Sequence, residues 1–303
     1  MMADNIHHHV AQRVSANGLQ LTYDSFGDPS DPVMILIMGL GTQMIHWSEQ
    51  FCQLLASNKL RVIRFDNRDI GESTWLTDYP TPTTWDFIGN SLFNKKVNSP
   101  YLLDDMADDT LALMDALSID KAHIVGVSMG GMIAQCMALK APNRVNSLTS
   151  IMSTTGNRSL PKAKIRVIAK LLKPLAKEIG PYVAQNLDVW LMLHGKHFPF
   201  DQESVEKVIR HSQQRGVNPA GVARQLSAII DSGDRTLSLR KLHIPSLIIH
   251  GDIDPLIPVE CGIATAAAIP GATLKILKGM GHTLPMQLWP QIVEDIVELS
   301  KAV

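Results

Sequence analysis

The chain has 303 residues and a mass of 33.3 kDa, room for one large α/β domain or two ordinary ones. Hydrophobic residues make up 45% and charged residues 19%, which excludes disordered, collagenous and coiled-coil chains. The formal net charge of −1 leaves no basic excess to neutralise phosphates, so no nucleic-acid partner is expected.

Residues 1–10 hold no apolar run, and no signal peptide is expected there. The longest apolar stretch, residues 33–40, is far shorter than the roughly 20 residues of a membrane helix. Cys52, Cys136 and Cys261 stand far apart, with no C-x-x-C pair. They form neither a zinc site nor a disulfide framework, and they suit a reducing compartment. The expectation is a soluble, cytoplasmic protein. The run His7-His8-His9 reads as a tail rather than a metal site.

Asn17-Gly18 is a strong hairpin signal between residues 14–16 and 19–25. Val33-Met34-Ile35-Leu36-Ile37 is a continuous apolar run, as in a parallel strand buried on both faces. Residues 46–57 read as a helix and 61–65 as the next strand. A long connection over residues 73–100 carries Pro80, Pro82, Pro100, Trp75 and Trp85; loops of that length are usually functional or mobile. Residues 102–117 are amphipathic at helical spacing. Strand 122–127, helix 129–141 and strand 145–151 follow. Strand 246–250, helix 261–268, strand 273–277 and helix 288–301 end the chain. Repeated strand–helix alternation implies a parallel sheet covered by helices on both faces.

About ninety residues separate the strand ending at Ile151 from the one beginning at Ser246. This stretch is rich in helix formers and has no clear strand. It reads as a helical cap, residues 155–240, inserted in a core formed by residues 1–154 and 241–303. Within it, residues 162–179 interleave Lys164, Arg166, Lys170, Lys173 and Lys177 with aliphatic side chains. Such a stretch is usually a cap helix with one solvated face, with weak lipid-surface contact as the lesser reading. Pro174 kinks or splits it. No stable membrane insertion is expected, and the oligomeric state is not legible.

Gly126-Val127-Ser128-Met129-Gly130 matches G-x-S-x-G, with an apolar strand entering and a helical pattern leaving. In such an elbow the serine occupies a tight turn, and side chains at Gly126 and Gly130 would collide. The turn lifts the hydroxyl above the sheet edge, and the following helix sets its positive N-terminal end beneath a developing oxyanion.

With these residues, Gly39-Leu40-Gly41, Asp66-Asn67-Arg68-Asp69-Ile70-Gly71-Glu72-Ser73, Gly251-Asp252-Ile253-Asp254-Pro255 and Gly281-His282, the chain resembles the α/β-hydrolase superfamily over nearly its whole length. Within it, the esterase branch that includes aclacinomycin methylesterase-type proteins is the most similar. The resemblance implies the α/β-hydrolase fold, with a mostly parallel central sheet of about eight strands and an inserted helical cap.

It also implies a Ser–acid–His order of catalytic groups. Of the eleven histidines, only His282 follows a late strand with a glycine-flanked loop, and it is the expected base. Two acids follow strand 246–250. The family pattern G-x-x-D selects Asp254, and Pro255 favours extended geometry before it. Asp252 suits a turn-stabilising role through its own backbone. Asp231 and Asp234, near the cap exit, are expected to be solvated.

The oxyanion donors implied are the N–H groups of Met129 and Leu40. Relatives often carry His-Gly where this chain has Met38-Gly39, which removes a side chain that braces the loop. Relatives also often carry glycine where this chain has Asp69, and Arg68 with its neighbouring carboxylates reads as bracing. Met44, Trp190 and Met192 are candidate substrate contacts in an apolar pocket; Leu191 and Leu193 read rather as the cap's own core.

The implied function is a serine hydrolase acting on small to medium apolar carboxylic esters through an acyl-enzyme, with no metal or organic cofactor. A carbon–carbon bond hydrolase or a cofactor-free perhydrolase would use the same triad. A non-catalytic ligand-binding protein on the same fold is the remote alternative.

Overall fold

The computed structural model describes residues 6–93, 95–171 and 173–302. Eight strands form one sheet: β1 His8–Ala16, β2 Leu19–Phe26, β3 Val33–Ile37, β4 Arg61–Phe65, β5 Ala122–Val127, β6 Val145–Ile151, β7 Ser246–Gly251 and β8 Thr273–Leu277. Their order across the sheet is β1-β2-β4-β3-β5-β6-β7-β8. The β1–β2 and β2–β4 pairs are antiparallel, and every pair from β4 onward is parallel. Asn17 and Gly18 adopt φ of 50° and 74°, the left-handed pair that a two-residue hairpin turn requires. His8 and His9 belong to β1, so the histidine run is not a free tail.

The helices are α1 Glu49–Ala56, α2 Thr84–Phe93, α3 Leu103–Ala116, α4 Met129–Lys140, α5 Ile165–Leu171, α6 Ile179–His194, α7 Gln202–Arg215, α8 Pro219–Asp231, α9 Thr236–Leu239, α10 Val259–Ala268 and α11 Trp289–Lys301. Two differ from the sequence expectation for a local reason. The helix expected from residue 46 begins at Glu49, because the Ser48 hydroxyl caps the Phe51 N–H and residues 44–46 form a separate 3₁₀ turn. The long connection 73–100 contains α2, started by an Asp86 carboxylate that accepts from the Thr83 N–H and hydroxyl.

Side-chain alternation along the central strands feeds two cores. Ile35, Ile37 and Ile124 join α3 and α4 on one face, while Met34, Leu36, Val125 and Val127 join α1 and α11 on the other. Burial on both faces explains why these strands are uninterrupted apolar runs.

Helices α5–α9 lie between β6 and β7 in sequence and form the cap. The amphipathic stretch 162–179 is not one helix. It breaks around Pro174, between α5 and α6. Among the described residues no helix is long and apolar enough to cross a membrane.

The chain runs from β3 outward to β4, then returns past β3 to β5. This reversal opens a crevice between the carboxyl ends of β3 and β5, where open α/β sheets place their ligands. The loop from Met38 and the turn at Ser128 both emerge there.

Candidate active site

Ser128 sits between β5 and α4 with φ 55° and ψ −120°, a left-handed conformation that a non-glycine residue holds only under tertiary constraint. Its N–H donates to the Ile151 carbonyl at 2.9 Å, and its carbonyl accepts from the Ser153 hydroxyl at 2.7 Å. A Cβ at Gly126 would run into the Gly130 carbonyl, and one at Gly130 into the Ile37 carbonyl. The motif's glycines are therefore a packing requirement of the turn.

The structure brings the three predicted groups together. His282 Nε2 lies 3.0 Å from Ser128 Oγ, and His282 Nδ1 lies 2.6 Å from Asp254 Oδ2. A carboxylate only accepts, so Nδ1 carries the proton and the unprotonated Nε2 faces the hydroxyl. Asp254 Oδ1 accepts from the Leu256 and Ile257 N–H groups at 2.8 and 2.9 Å. Both Asp254 and His282 are buried. Asp252 has another task than the one expected. Its Oδ1 accepts from the Gly279 N–H at 2.6 Å, so it braces the loop that carries His282 rather than its own turn.

Gly39 stands against the serine: a Cβ placed there would be 3.2 Å from Ser128 Cβ. Leu40 follows Gly39 and Met129 follows Ser128, so both expected donor residues adjoin this contact. The brace that Met38 cannot supply comes from two side chains that sequence reasoning missed. Asn67 Nδ2 donates to the Met38 carbonyl at 3.0 Å, and Gln225 Oε1 of the cap accepts from the Gly41 N–H at 3.0 Å. Asn67 lay within the quoted loop motif, whereas nothing local marks Gln225.

The loop at residues 66–73 is clamped to the cap. Arg215 donates to Asp66 at 2.7 Å, and Arg224 donates to both oxygens of Asp69 at 2.8 and 2.6 Å. Arg68 instead pairs with Asp109 of α3, so it ties the loop to that helix and not to the neighbouring carboxylates expected as its partners. Asp231 is half-buried rather than freely solvated, and its carboxylate accepts from the Val97 and Ser99 N–H groups.

Of the proposed substrate contacts, Met44 is 1% exposed and offers no surface to a ligand. Trp190 and Met192 are half-buried on α6. Trp190 stacks on His46 with ring centroids 5.4 Å apart, which joins the cap to the loop after β3. Leu193 is buried as expected, but Leu191 is 51% exposed and does not belong to the cap core. Burial pushes Cys52 and Cys136 up to about 12, where a thiolate nucleophile is absent at neutral pH.

A family model described as alpha/beta hydrolase fold matches residues 32–287. Rhodomycin D methylesterase DauP of Streptomyces sp. strain C5 is 26% identical over 315 residues, covering 95% of this chain and 97% of that protein. The 3-oxoadipate enol-lactonase 2 of Acinetobacter baylyi is 26% identical over 270 residues, covering 89% of each. Among solved structures, the meta-cleavage product hydrolase of Pseudomonas fluorescens IP01 superimposes with a TM-score of 0.74 at 20% identity, over 96% of this chain and 97% of that one.

Proposed function

This chain belongs to the alpha/beta hydrolase fold family, and we propose that it is a serine carboxylic-ester hydrolase working through Ser128, His282 and Asp254. The observation that carries the reading is the continuous hydrogen-bonded path from Ser128 Oγ through His282 to Asp254, at 3.0 and 2.6 Å. A serine hydroxyl is a weak nucleophile until a base stands within reach and an orienting group holds that base. The methylesterase and enol-lactonase relatives support an ester bond as the target.

In this reading Ser128 Oγ attacks the ester carbonyl carbon while His282 Nε2 takes the hydroxyl proton. The carbonyl oxygen becomes an oxyanion held by the Leu40 and Met129 N–H groups, which the α4 N-terminus reinforces. Collapse breaks the bond to the leaving oxygen, which receives the proton from His282. The acyl group now rests on Ser128. Water then attacks the acyl-enzyme, His282 takes its proton and returns it to Ser128 Oγ, and the acid leaves. Asp254 keeps the imidazole in the required tautomer throughout.

The substrate is a small to medium apolar ester, with Trp190 and Met192 as pocket walls. Residues 155–240 act as the cap and residues 1–154 with 241–303 as the catalytic core. The test is an initial-rate panel of p-nitrophenyl esters from acetate to palmitate, wild type beside Ser128→Ala. Turnover lost in the variant supports the reading. Absent wild-type turnover, with Ser128 still labelled by a fluorophosphonate, overturns the ester assignment and directs the assay to carbon–carbon substrates.

A further inference from the structure

His250 lies at the end of β7, four residues before Asp254, and is completely buried. Its Nε2 is 2.9 Å from the Ile257 carbonyl oxygen. A carbonyl only accepts, so Nε2 carries the proton. Its Nδ1 is buried with no hydrogen-bond partner and faces the backbone of Gly262, where a Cβ would run into the ring. A bare nitrogen there is the lone pair of a neutral imidazole. Burial, ahead of every other influence, pushes its pKa below the ordinary histidine value.

Ile257 joins this histidine to the orienting acid. Its carbonyl accepts from His250, and its N–H donates to Asp254 Oδ1 at 2.9 Å. The same Nε2–H stands 3.7 Å from Asp254 Oδ2, the oxygen that accepts from His282. That separation is too long for a hydrogen bond, so His250 bears on the carboxylate through Ile257 and through its dipole.

We infer that His250 is a positioning residue, which fixes Asp254 through Ile257 and so sets the orientation of His282. The inference rests on the triad reading above. A neutral donor suits the place. It satisfies a buried carbonyl without setting a second cation beside Asp254, where it would compete with His282 for the carboxylate. Its charged surroundings are Asp254, His282 and Glu260.

The test compares His250→Phe, which keeps a ring and removes the donor, with His250→Gln, whose amide nitrogen replaces Nε2. Two readouts are taken. One is the kcat and KM split on the best ester. The other is the downfield proton resonance of the His282–Asp254 bond, which needs no substrate. His250→Phe is expected to lower kcat by about tenfold or more, a part of the roughly 10⁴-fold lost when an orienting carboxylate is disabled. KM should stay within about twofold. The downfield resonance should broaden or vanish, and His250→Gln should restore both readouts. Undiminished kcat in His250→Phe, an intact resonance, or no recovery in His250→Gln would each overturn the inference. Wild-type turnover that persists in Ser128→Ala would sink the triad reading instead, and the resonance would still decide the role of His250.

Discussion

The Leu193 carbonyl accepts the His282 N–H at 2.7 Å. The last turn of cap helix α6 therefore holds the backbone of the proposed base, while Asp254 holds its ring. His194 Nδ1, on the next residue, lies 2.9 Å from the Thr283 hydroxyl, so two consecutive cap residues grip two consecutive loop residues. Substrate-side movements of α6 would thus be felt at the imidazole.

This contact predicts the effect of Gly281→Ala. A Cβ there would press into the Leu193 carbonyl, and such overpacking costs about 1–3 kcal/mol. Because the strain falls beside His282, ester turnover should drop by more than the loss of folded protein explains. Urea unfolding and kcat measured on the same preparation check this; parallel losses would contradict it.

Asp254 and Asp252 should separate cleanly. Asp254→Asn alters the group that orients His282, and kcat should fall by a factor on the order of 10⁴. Asp252→Asn weakens only the bond to the Gly279 N–H. It should leave kcat within about tenfold of wild type while lowering stability by about 1 kcal/mol. Steady-state rates with thermal melts test the pair.

The buried pair Arg224–Asp69 latches α8 to the core. Both side chains are almost wholly buried, and removing one partner of such a pair typically costs about 3–5 kcal/mol. Arg224→Met should destabilise the fold by that order, and adding Asp69→Asn should cost less than the sum of the single changes. Burial alone would raise the Asp69 carboxyl, but its bonds from Arg224, the Leu76 N–H and Tyr101 outweigh burial and hold it below the ordinary value. A depressed carboxyl stabilises the fold above its unfolded pKa of about 3.9. That contribution disappears as pH falls through the lower folded value. Urea titrations at pH 7 and pH 3 read both effects.

His46 predicts a different acid sensitivity. Burial pushes it down to about 4, against a weaker opposing bond to the Gln43 carbonyl. A histidine with a lowered folded pKa binds its proton more readily when unfolded, so stability falls as pH drops from about 6.5 towards 4. Between pH 7 and pH 5 its share is on the order of 2 kcal/mol. His46→Phe should keep the stack on Trp190 and lose less stability between pH 7 and pH 5 than wild type. An identical pH dependence in both proteins would refute the prediction.

Much of the frame is written in local sequence. The apolar runs of β3, β5 and β7 and the Asn17-Gly18 turn each depend on neighbours within a few residues, as does Gly126 of the elbow, whereas Gly130 is required by the distant Ile37 carbonyl. Periodicity and steric exclusion therefore fix the local features before the chain folds. The order of Ser128, Asp254 and His282 came from the resemblance, which local signals supported because each residue follows a strand end that the sequence marks.

What the sequence did not determine are pairings between distant segments. Of the two acids after β7 the resemblance selected Asp254, while the Gly279 partner of Asp252 emerged only in the fold. The sequence marked Asp69 as unusual without showing Arg224, 155 positions away. Gln225 against Gly41, Leu193 against His282 and Ile257 between His250 and Asp254 carry no local signature. A hydrogen-bond donor or carbonyl looks the same in any sequence context. Its partner is chosen only when the sheet and cap close long loops and bring the two groups within reach.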